Sequence, residues 1–365
     1  MTLRFTSVPG LEDVCETELR ERLHIDGPRS RHDGFEVTGL DLRPQGLDGH
    51  VLLYVTGPDA EAELRTVVFG LRSCFHVIRH VALLPMDPVD PLGALDAALR
   101  RLDIGEMRDA VRFRVTSQRS GEHTFRSMEA QRAAGAALLE SYGAMVDLEE
   151  YDTEVRVDAV QDKWLIGVQW TREALDKRYP WVYRPRVTLR TTVAYGLLRM
   201  AGLAGSHPDG LTLLDPFCGS GTVLVEAARA FPRLRCLGAD REPEAVAGTR
   251  ANARAVGVAD QVDVREADAR DLEVTYPLRS VDYVVTNPPY GIRLGRTTDY
   301  RDLYRKFLRG AASVVKPKGR VVVLVGKRRH AFNQVIRETT EFSIVTVRVI
   351  EMGGVYPAVF VLRRR

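Results

Sequence analysis

From residue 211 onward the chain repeats one pattern: a short apolar run, a polar or glycine-rich stop, then a stretch with helical spacing. Leu211 to Leu214 is the first run, and Asp215 ends it. Pro216 to Gly221 is a tight turn, and Thr222 to Ala230 reads as an apolar, alanine-rich helix. The second run, Arg235 to Ala239, stops at Asp240. The third, Gln261 to Glu266, stops just before Asp268-Ala269. The fourth, Ser280 to Thr286, stops at Asn287-Pro288-Pro289-Tyr290. Short apolar runs of this kind are buried strands of a parallel sheet. Helices are expected at Leu189 to Met200, Asp299 to Val315 and Ala331 to Thr340, with a further buried strand at Arg320 to Val325. Phe342 to Glu351 and Val355 to Arg363 close the chain as a hairpin across Gly353-Gly354.

The first half reads differently. Leu3 to Ser7, Gly34 to Val37, Val51 to Val55 and Cys74 to Val81 read as strands, with helices at Leu11 to Leu23 and Ala60 to Phe69. This βαββαβ rhythm predicts a ferredoxin-like unit. A connector at Pro85 to Pro91 leads to a helix at Leu92 to Leu102. Val111 to Ser117 alternates, and Arg112 and Arg114 fall on its exposed side, which predicts a basic face. The loop Gln118 to Ser127 precedes a helix from Met128 to Tyr142, with Ser127 as the expected cap. Val155 to Val160 and Lys163 to Trp170 form a hairpin. The expected division is 1–84, 85–170, a linker at 171–188 and 189–365. The fold class is α/β: a Rossmann-like C-terminal domain behind an α+β half.

In an open parallel sheet, ligands sit at the carboxyl ends of the strands. All four stops fall on that edge, and each carries a polar group. Gly219 and Gly221 let the backbone come close to a ligand. The turn lacks the GxGxxG spacing of dinucleotide sites and the Lys-Ser/Thr of a phosphate-binding loop. Asp215 would repel a pyrophosphate there but suits a cationic amino group, such as the ammonium of S-adenosylmethionine. An acid at the end of the second strand, Asp240, is the usual acceptor for ribose hydroxyls. Asp268 is placed to accept from an adenine amino group.

Asp215-Pro216-Phe217-Cys218-Gly219-Ser220-Gly221 together with Asn287-Pro288-Pro289-Tyr290 resembles the S-adenosylmethionine-dependent methyltransferases that modify exocyclic or amide nitrogens. The resemblance implies cofactor contacts from Asp215, Phe217, Gly219 and Gly221, then from Asp240, Asp268 and Ala269, and from Asn287. It implies that Asn287, Pro288 and Tyr290 hold the target nitrogen. The Asn287 oxygen and the Pro288 carbonyl can accept the two N–H bonds of an amine, which localises its lone pair. Tyr290 can stack on a base taken out of its helix.

Phe113 to Ala137, with its Arg-x-Gly-x-His-x-Phe-x-Ser pattern at Arg119 to Ser127, resembles the THUMP domain, an RNA-binding module fused to RNA-modifying enzymes. Arg119, His123 and Arg126 in the loop before the helix can seat an RNA phosphate, or are the solvated charges of a capped loop. Arg293 and Arg296, in the loop after Tyr290, are expected as phosphate contacts beside the target base. Taken over the whole chain, the resemblance is to the tRNA guanine-N2 methyltransferases acting at position 6. It implies tRNA as partner, gripped at the acceptor stem and 3′ end. A ribosomal (23S) RNA guanine-N2 methyltransferase shares both domains and is the second reading. Amide or DNA-adenine methylation, or RNA binding without catalysis, are more distant ones.

Composition bounds this reading. The chain has 365 residues, enough for two or three domains, and 45% are hydrophobic. No apolar run reaches the roughly 20 residues of a membrane span, and the N-terminus has no signal-peptide core. Cys15, Cys74, Cys218 and Cys236 lack metal spacing, so no metal is expected. A cytoplasmic, monomeric protein is expected. The net charge is only +3, but it is unevenly spread. Thr171 to Met200 holds seven Lys/Arg against two acids, and Lys316 to His330 holds six against none. Such clusters suit a polyanion.

Overall fold

The computed structural model describes residues 1–204, 210–289 and 299–365. They form two units: Met1–Ser7 with Cys15–Leu175, and Val8–Val14 with Asp176–Arg365.

The first unit is built on one sheet. Its strands are β1 (Thr2–Ser7), β2 (Ser30–His32), β3 (Phe35–Leu42), β4 (His50–Thr56), β5 (Cys74–Pro85), β6 (Arg112–Thr116), β7 (Arg119–Ser120), β8 (Met145–Val146), β9 (Thr153–Val160) and β10 (Lys163–Gln169). The order among the described residues is β2-β3-β4-β1-β5-β10-β9-β6-β8, with β7 on β9. Strands β5, β1, β4 and β3 carry the ferredoxin-like part. β5 also pairs with β10, so a single sheet continues into the second half of the unit.

Helices α1 (Glu12–Arg22) and α2 (Ala60–Val68) cover the first part through Cys15, Leu19, Leu64 and Val68. Helices α3 (Pro91–Leu99) and α4 (Ser127–Tyr142) cover the second. α4 meets the sheet through Ala130, Ala134 and Ala137, and these small side chains allow a close approach. Ser127 is the first residue inside α4, not its cap. The position before the helix is Arg126, whose N–H donates to the Glu129 carboxylate at 2.7 Å. An acid in the first turn does the capping that Ser127 was expected to do.

Every residue of β9 is buried, the charged Glu154, Arg156 and Asp158 included. Asp158 Oδ2 accepts from Arg4 Nη2 at 3.0 Å, and Asp158 Oδ1 accepts from Arg156 Nε at 2.7 Å. The expected basic face of β6 is neutralised. Arg114 Nη2 donates to Glu154 at 2.6 Å, and Arg112 Nη1 donates to Glu150 at 2.8 Å.

The second unit is a seven-stranded sheet: β11 (Thr212–Asp215), β12 (Arg235–Asp240), β13 (Val262–Glu266), β14 (Val281–Thr286), β15 (Val315–Val325), β16 (Phe342–Val349) and β17 (Ala358–Arg364). The order is β13-β12-β11-β14-β15-β17-β16, parallel except for β17. Helices α5 (Thr191–Met200), α6 (Thr222–Ala230), α7 (Pro243–Val256), α8 (Leu272–Thr275), α9 (Tyr300–Val314) and α10 (Arg329–Glu338) complete it. The strand order reverses between β11 and β14, which opens a crevice at their carboxyl ends. α9 and α10 pack Tyr304, Phe307, Phe332 and Ile336 over β14, β15 and β17.

The stretch Val8–Val14 completes this unit. A Cβ on Gly196 of α5 would come within 2.6 Å of Leu11 Cδ1. The Glu351 N–H donates to the Pro9 carbonyl at 3.0 Å, and Arg348 Nη1 meets Asp13 Oδ1 at 2.5 Å.

Candidate active site

A cavity of about 820 Å³ opens at the carboxyl edge of the second sheet. The strands deliver its wall in order. β11 ends in Asp215, β12 in Asp240, the loop after β13 brings Asp268 and Ala269, and β14 leads into Asn287, Pro288 and Pro289. Such a volume, with a few converging polar groups, is that of a small-molecule site.

Asp215 is 2% exposed. Its Oδ1 accepts from the Thr286 hydroxyl at 2.6 Å and from the Phe217 N–H at 3.1 Å. Burial pushes its carboxyl up to about 7; the two donors oppose this, and the nearby Asp240 adds to it. A buried acid so placed gains from a cation at its open side. Phe217 lines the cavity and meets Phe307 of α9 edge-on at 5.5 Å.

The turn is held from both flanks. Gly219 donates its N–H to Asp240 Oδ2 at 2.9 Å, and its carbonyl accepts from Thr249 Oγ1 at 2.8 Å. Its φ is +56°, and nothing lies within 4 Å of where a Cβ would stand, so the backbone is bare toward the cavity. Asp240 Oδ1 accepts from the Glu242 N–H at 3.0 Å. Gly221, expected at the cofactor, lies between Ser220 and Thr222 of the cavity wall. Its φ is +80° and a Cβ there would come within 2.5 Å of Thr249 Cγ2, so the packing against α7 requires glycine. Burial pushes the Cys218 thiol well above its ordinary value, so it is a filler, not a nucleophile.

The Asp268 carboxylate reaches the cavity but is forked by Arg270, whose Nε donates at 2.9 Å. That pairing holds Asp268 below the usual carboxylate range. Asn287 lines the cavity, and its Oδ1 is buried without a hydrogen-bond partner among the described residues. A buried acceptor left unpaired is costly unless a ligand supplies the donor. Tyr290, Arg293 and Arg296 lie outside the described residues.

In the first unit, Arg119 donates to the Phe125 carbonyl, and His123 Nε2 sits 2.8 Å from the Gln161 carbonyl. Phe125 stacks on Trp164 at 5.1 Å. These residues fold the loop 118–127 onto the sheet. Arg126 keeps an exposed side chain there.

Two features escaped the sequence pattern. Val187, Thr188 and Leu189 of the linker line the cavity. Asn252 of α7, fully buried, uses its whole amide: Oδ1 accepts from the N–H groups of Val182 and Tyr183 at 2.9 and 2.8 Å. Its Nδ2 donates to the carbonyls of Tyr183 and Ser220 at 2.8 and 2.9 Å. The signal was present: Asn252 sits on the buried stripe of α7 with Val246 and Thr249, where a polar side chain needs a purpose.

The strand order, the acid-lined edge and an Asn287 oxygen with no partner among the described residues define a Rossmann-like methyltransferase domain. Comparison with known proteins agrees. Residues 182–358 match the family described as RMKL-like, methyltransferase domain, and residues 94–169 match the THUMP domain. A tRNA (guanine(6)-N2)-methyltransferase of Thermus thermophilus is 36% identical over the full length of both chains. One of Archaeoglobus fulgidus is 30% identical over 99% of this chain and 92% of its own. The crystal structure of TrmN from Thermus thermophilus superposes with a TM-score of 0.76 at 34% identity, covering 100% of this chain and 99% of that one. The chain belongs to the tRNA (guanine(6)-N2)-methyltransferase family.

Proposed function

We infer that the protein transfers a methyl group from S-adenosylmethionine to the exocyclic N2 of a guanosine in tRNA, at position 6 of the acceptor stem. The observation that carries the reading is the Asn287 oxygen, buried, unpaired among the described residues and facing the cavity, where an amine would supply the missing donor. Full-length likeness to the two tRNA (guanine(6)-N2)-methyltransferases supports the substrate and the position.

The cavity residues fit the cofactor. Asp215 offers a buried anion to its ammonium, the bare Gly219 backbone allows close approach, and Asp240 and Asp268 stand as acceptors for ribose and adenine. Once bound, S-adenosylmethionine supplies an activated methyl group on a cationic sulfur. Asn287 Oδ1 and the Pro288 carbonyl accept the two N–H bonds of the guanine amine. This frees its lone pair from the ring and turns it toward the methyl group. No strong base is needed, because the methylated nitrogen becomes acidic and gives up its proton readily. Positioning and electrostatics supply the rate. A guanine paired in a stem must first leave the stack, at a cost of a few kcal/mol.

The THUMP-bearing unit is the grip on the tRNA 3′ end, with Arg126 among its exposed cations. Among the described residues no helix is long and apolar enough to cross a membrane. We place the enzyme in the cytoplasm, acting as a monomer.

The test is methyl transfer from labelled S-adenosylmethionine to unmodified tRNA and to ribosomal RNA, followed by nucleoside analysis. N2-methylguanosine at position 6 of tRNA is expected. Label in ribosomal RNA alone overturns the substrate.

A further inference from the structure

The linker carries a group that neither the cavity nor the rest of the unit uses. Residues 182–189 are pinned at their start by Asn252, which binds the backbone of Val182 and Tyr183 on one side and Ser220 of the glycine turn on the other. The Tyr183 ring lies over Gly248, where a Cβ would come within 2.1 Å of it. The far end is tied as well. Thr188 Oγ1 donates to the Pro185 carbonyl at 2.8 Å, and Arg190 Nε donates to Asp176 at 2.7 Å. Val187, Thr188 and Leu189 then form part of the cavity wall.

Between these ties the chain alternates. Tyr183 and Pro185 are half-buried, while Arg184 and Arg186 are exposed. Pro185 fixes its own φ and disfavours the helical region for Arg184, and Arg186 follows at a bend. Among the described residues, no hydrogen bond or ion pair holds either guanidinium. Arginines elsewhere in the chain do find carboxylates, as Arg114 finds Glu154 and Arg270 finds Asp268. Two unpaired planar forks, one residue apart and just before the cavity wall, suit a run of phosphates.

We propose that residues 182–189 form a strap, locked by Asn252, that presents Arg184 and Arg186 to the sugar–phosphate backbone beside the target guanosine. The proposal rests on the reading of the enzyme as a tRNA methyltransferase. Phosphate contacts fix register without reading bases, so the strap sets where the RNA lies. The chemistry at the amine stays with Asn287 and Pro288. Asn252 is a positioning residue: it touches no RNA.

The experiment compares wild type, Arg184→Ala/Arg186→Ala and Asn252→Ala, full length, with unmodified tRNA and S-adenosylhomocysteine as probes. The double variant is expected to bind tRNA roughly tenfold more weakly at low salt. The slope of log affinity against log salt is expected to shrink by about two. S-adenosylhomocysteine affinity is expected to stay at the wild-type value. A substrate and a non-substrate tRNA should weaken equally. Asn252→Ala should reproduce the smaller salt slope although its side chain is buried, and should weaken S-adenosylhomocysteine as well. If the double variant keeps wild-type tRNA affinity and slope while wild type methylates tRNA, the strap proposal falls and the enzymatic reading stands. If wild type neither binds nor methylates tRNA, both fall. A lower melting temperature in Asn252→Ala with the wild-type slope overturns the lock.

Discussion

Thr286, the last residue of β14, donates its hydroxyl to Asp215, the last residue of β11, at 2.6 Å. This bond joins the two central strands where the sheet order reverses. It puts the start of the Asn287 to Pro289 segment and the acid of the glycine turn on one frame.

The pH response of cofactor binding follows from Asp215. Its carboxyl is pushed up to about 7, so in the free enzyme it is largely protonated below that pH. A cationic ligand favours the ionised form. The affinity for S-adenosylhomocysteine should therefore rise as pH increases through about 7, with a proton released on binding below it. Calorimetry in buffers of different ionisation enthalpy measures that proton. Thr286→Val removes a donor that opposes the shift and should move the midpoint to higher pH. Asp215→Asn should abolish the dependence. For stability the sign is the reverse. The folded carboxyl binds a proton more tightly than the unfolded one, so its contribution is full below about 4 and lost as pH rises to about 7.

Asn287→Ala should lower kcat by roughly 10²–10³-fold, the scale for losing one preorganised polar contact to a reacting group. S-adenosylhomocysteine binding should stay close to normal. Single-turnover methylation beside calorimetry separates the two, and near-wild-type turnover would remove Asn287 from the amine site.

Gly221→Ala tests whether the second glycine of the turn serves packing. At φ +80°, with Thr249 Cγ2 2.5 Å from the added Cβ, the substitution should cost about 1–3 kcal/mol of stability. A melting scan is expected to show the loss, and Thr249→Ser in the same chain to recover part of it by removing that methyl. Full stability in Gly221→Ala would contradict the packing role.

Leu11→Ala tests the membership of Val8–Val14 in the second unit. Leu11 is 2% exposed and lies against Gly196 of α5. Truncating a buried leucine costs about 2–5 kcal/mol. Hydrogen exchange should show the lost protection in α5 and its neighbours, and an unchanged α5 would contradict the assignment.

Much of the second unit was legible because its information is local. Each strand is a short apolar run, each stop is a polar residue a step or two later, and Asp215, Asp240, Asp268 and Asn287 all arrive on one wall. The elements with expected bounds lie within a few residues of them, except that β15 begins at Val315 instead of Arg320; α7 and α8 had none. The first unit was legible in its rhythm but not in its charges. Arg114 read as an exposed cation because its partner, Glu154, is distant in sequence and adjacent only across paired strands. Arg4 and Asp158 are farther apart still, and nothing in either neighbourhood marks them as a buried pair. Asn252 was missed because its four partners come from two other segments.

Because Val8–Val14 groups with Asp176–Arg365, the methyltransferase half is not one continuous piece of chain. During synthesis, Val8–Val14 leaves the ribosome before Cys15–Leu175, and the rest of its own unit only after that. The early segment must therefore be kept available until α5 and β16 emerge. A gene fragment encoding only the C-terminal half omits part of its own packing, so exchanging methyltransferase halves between relatives requires carrying this short N-terminal stretch along with them.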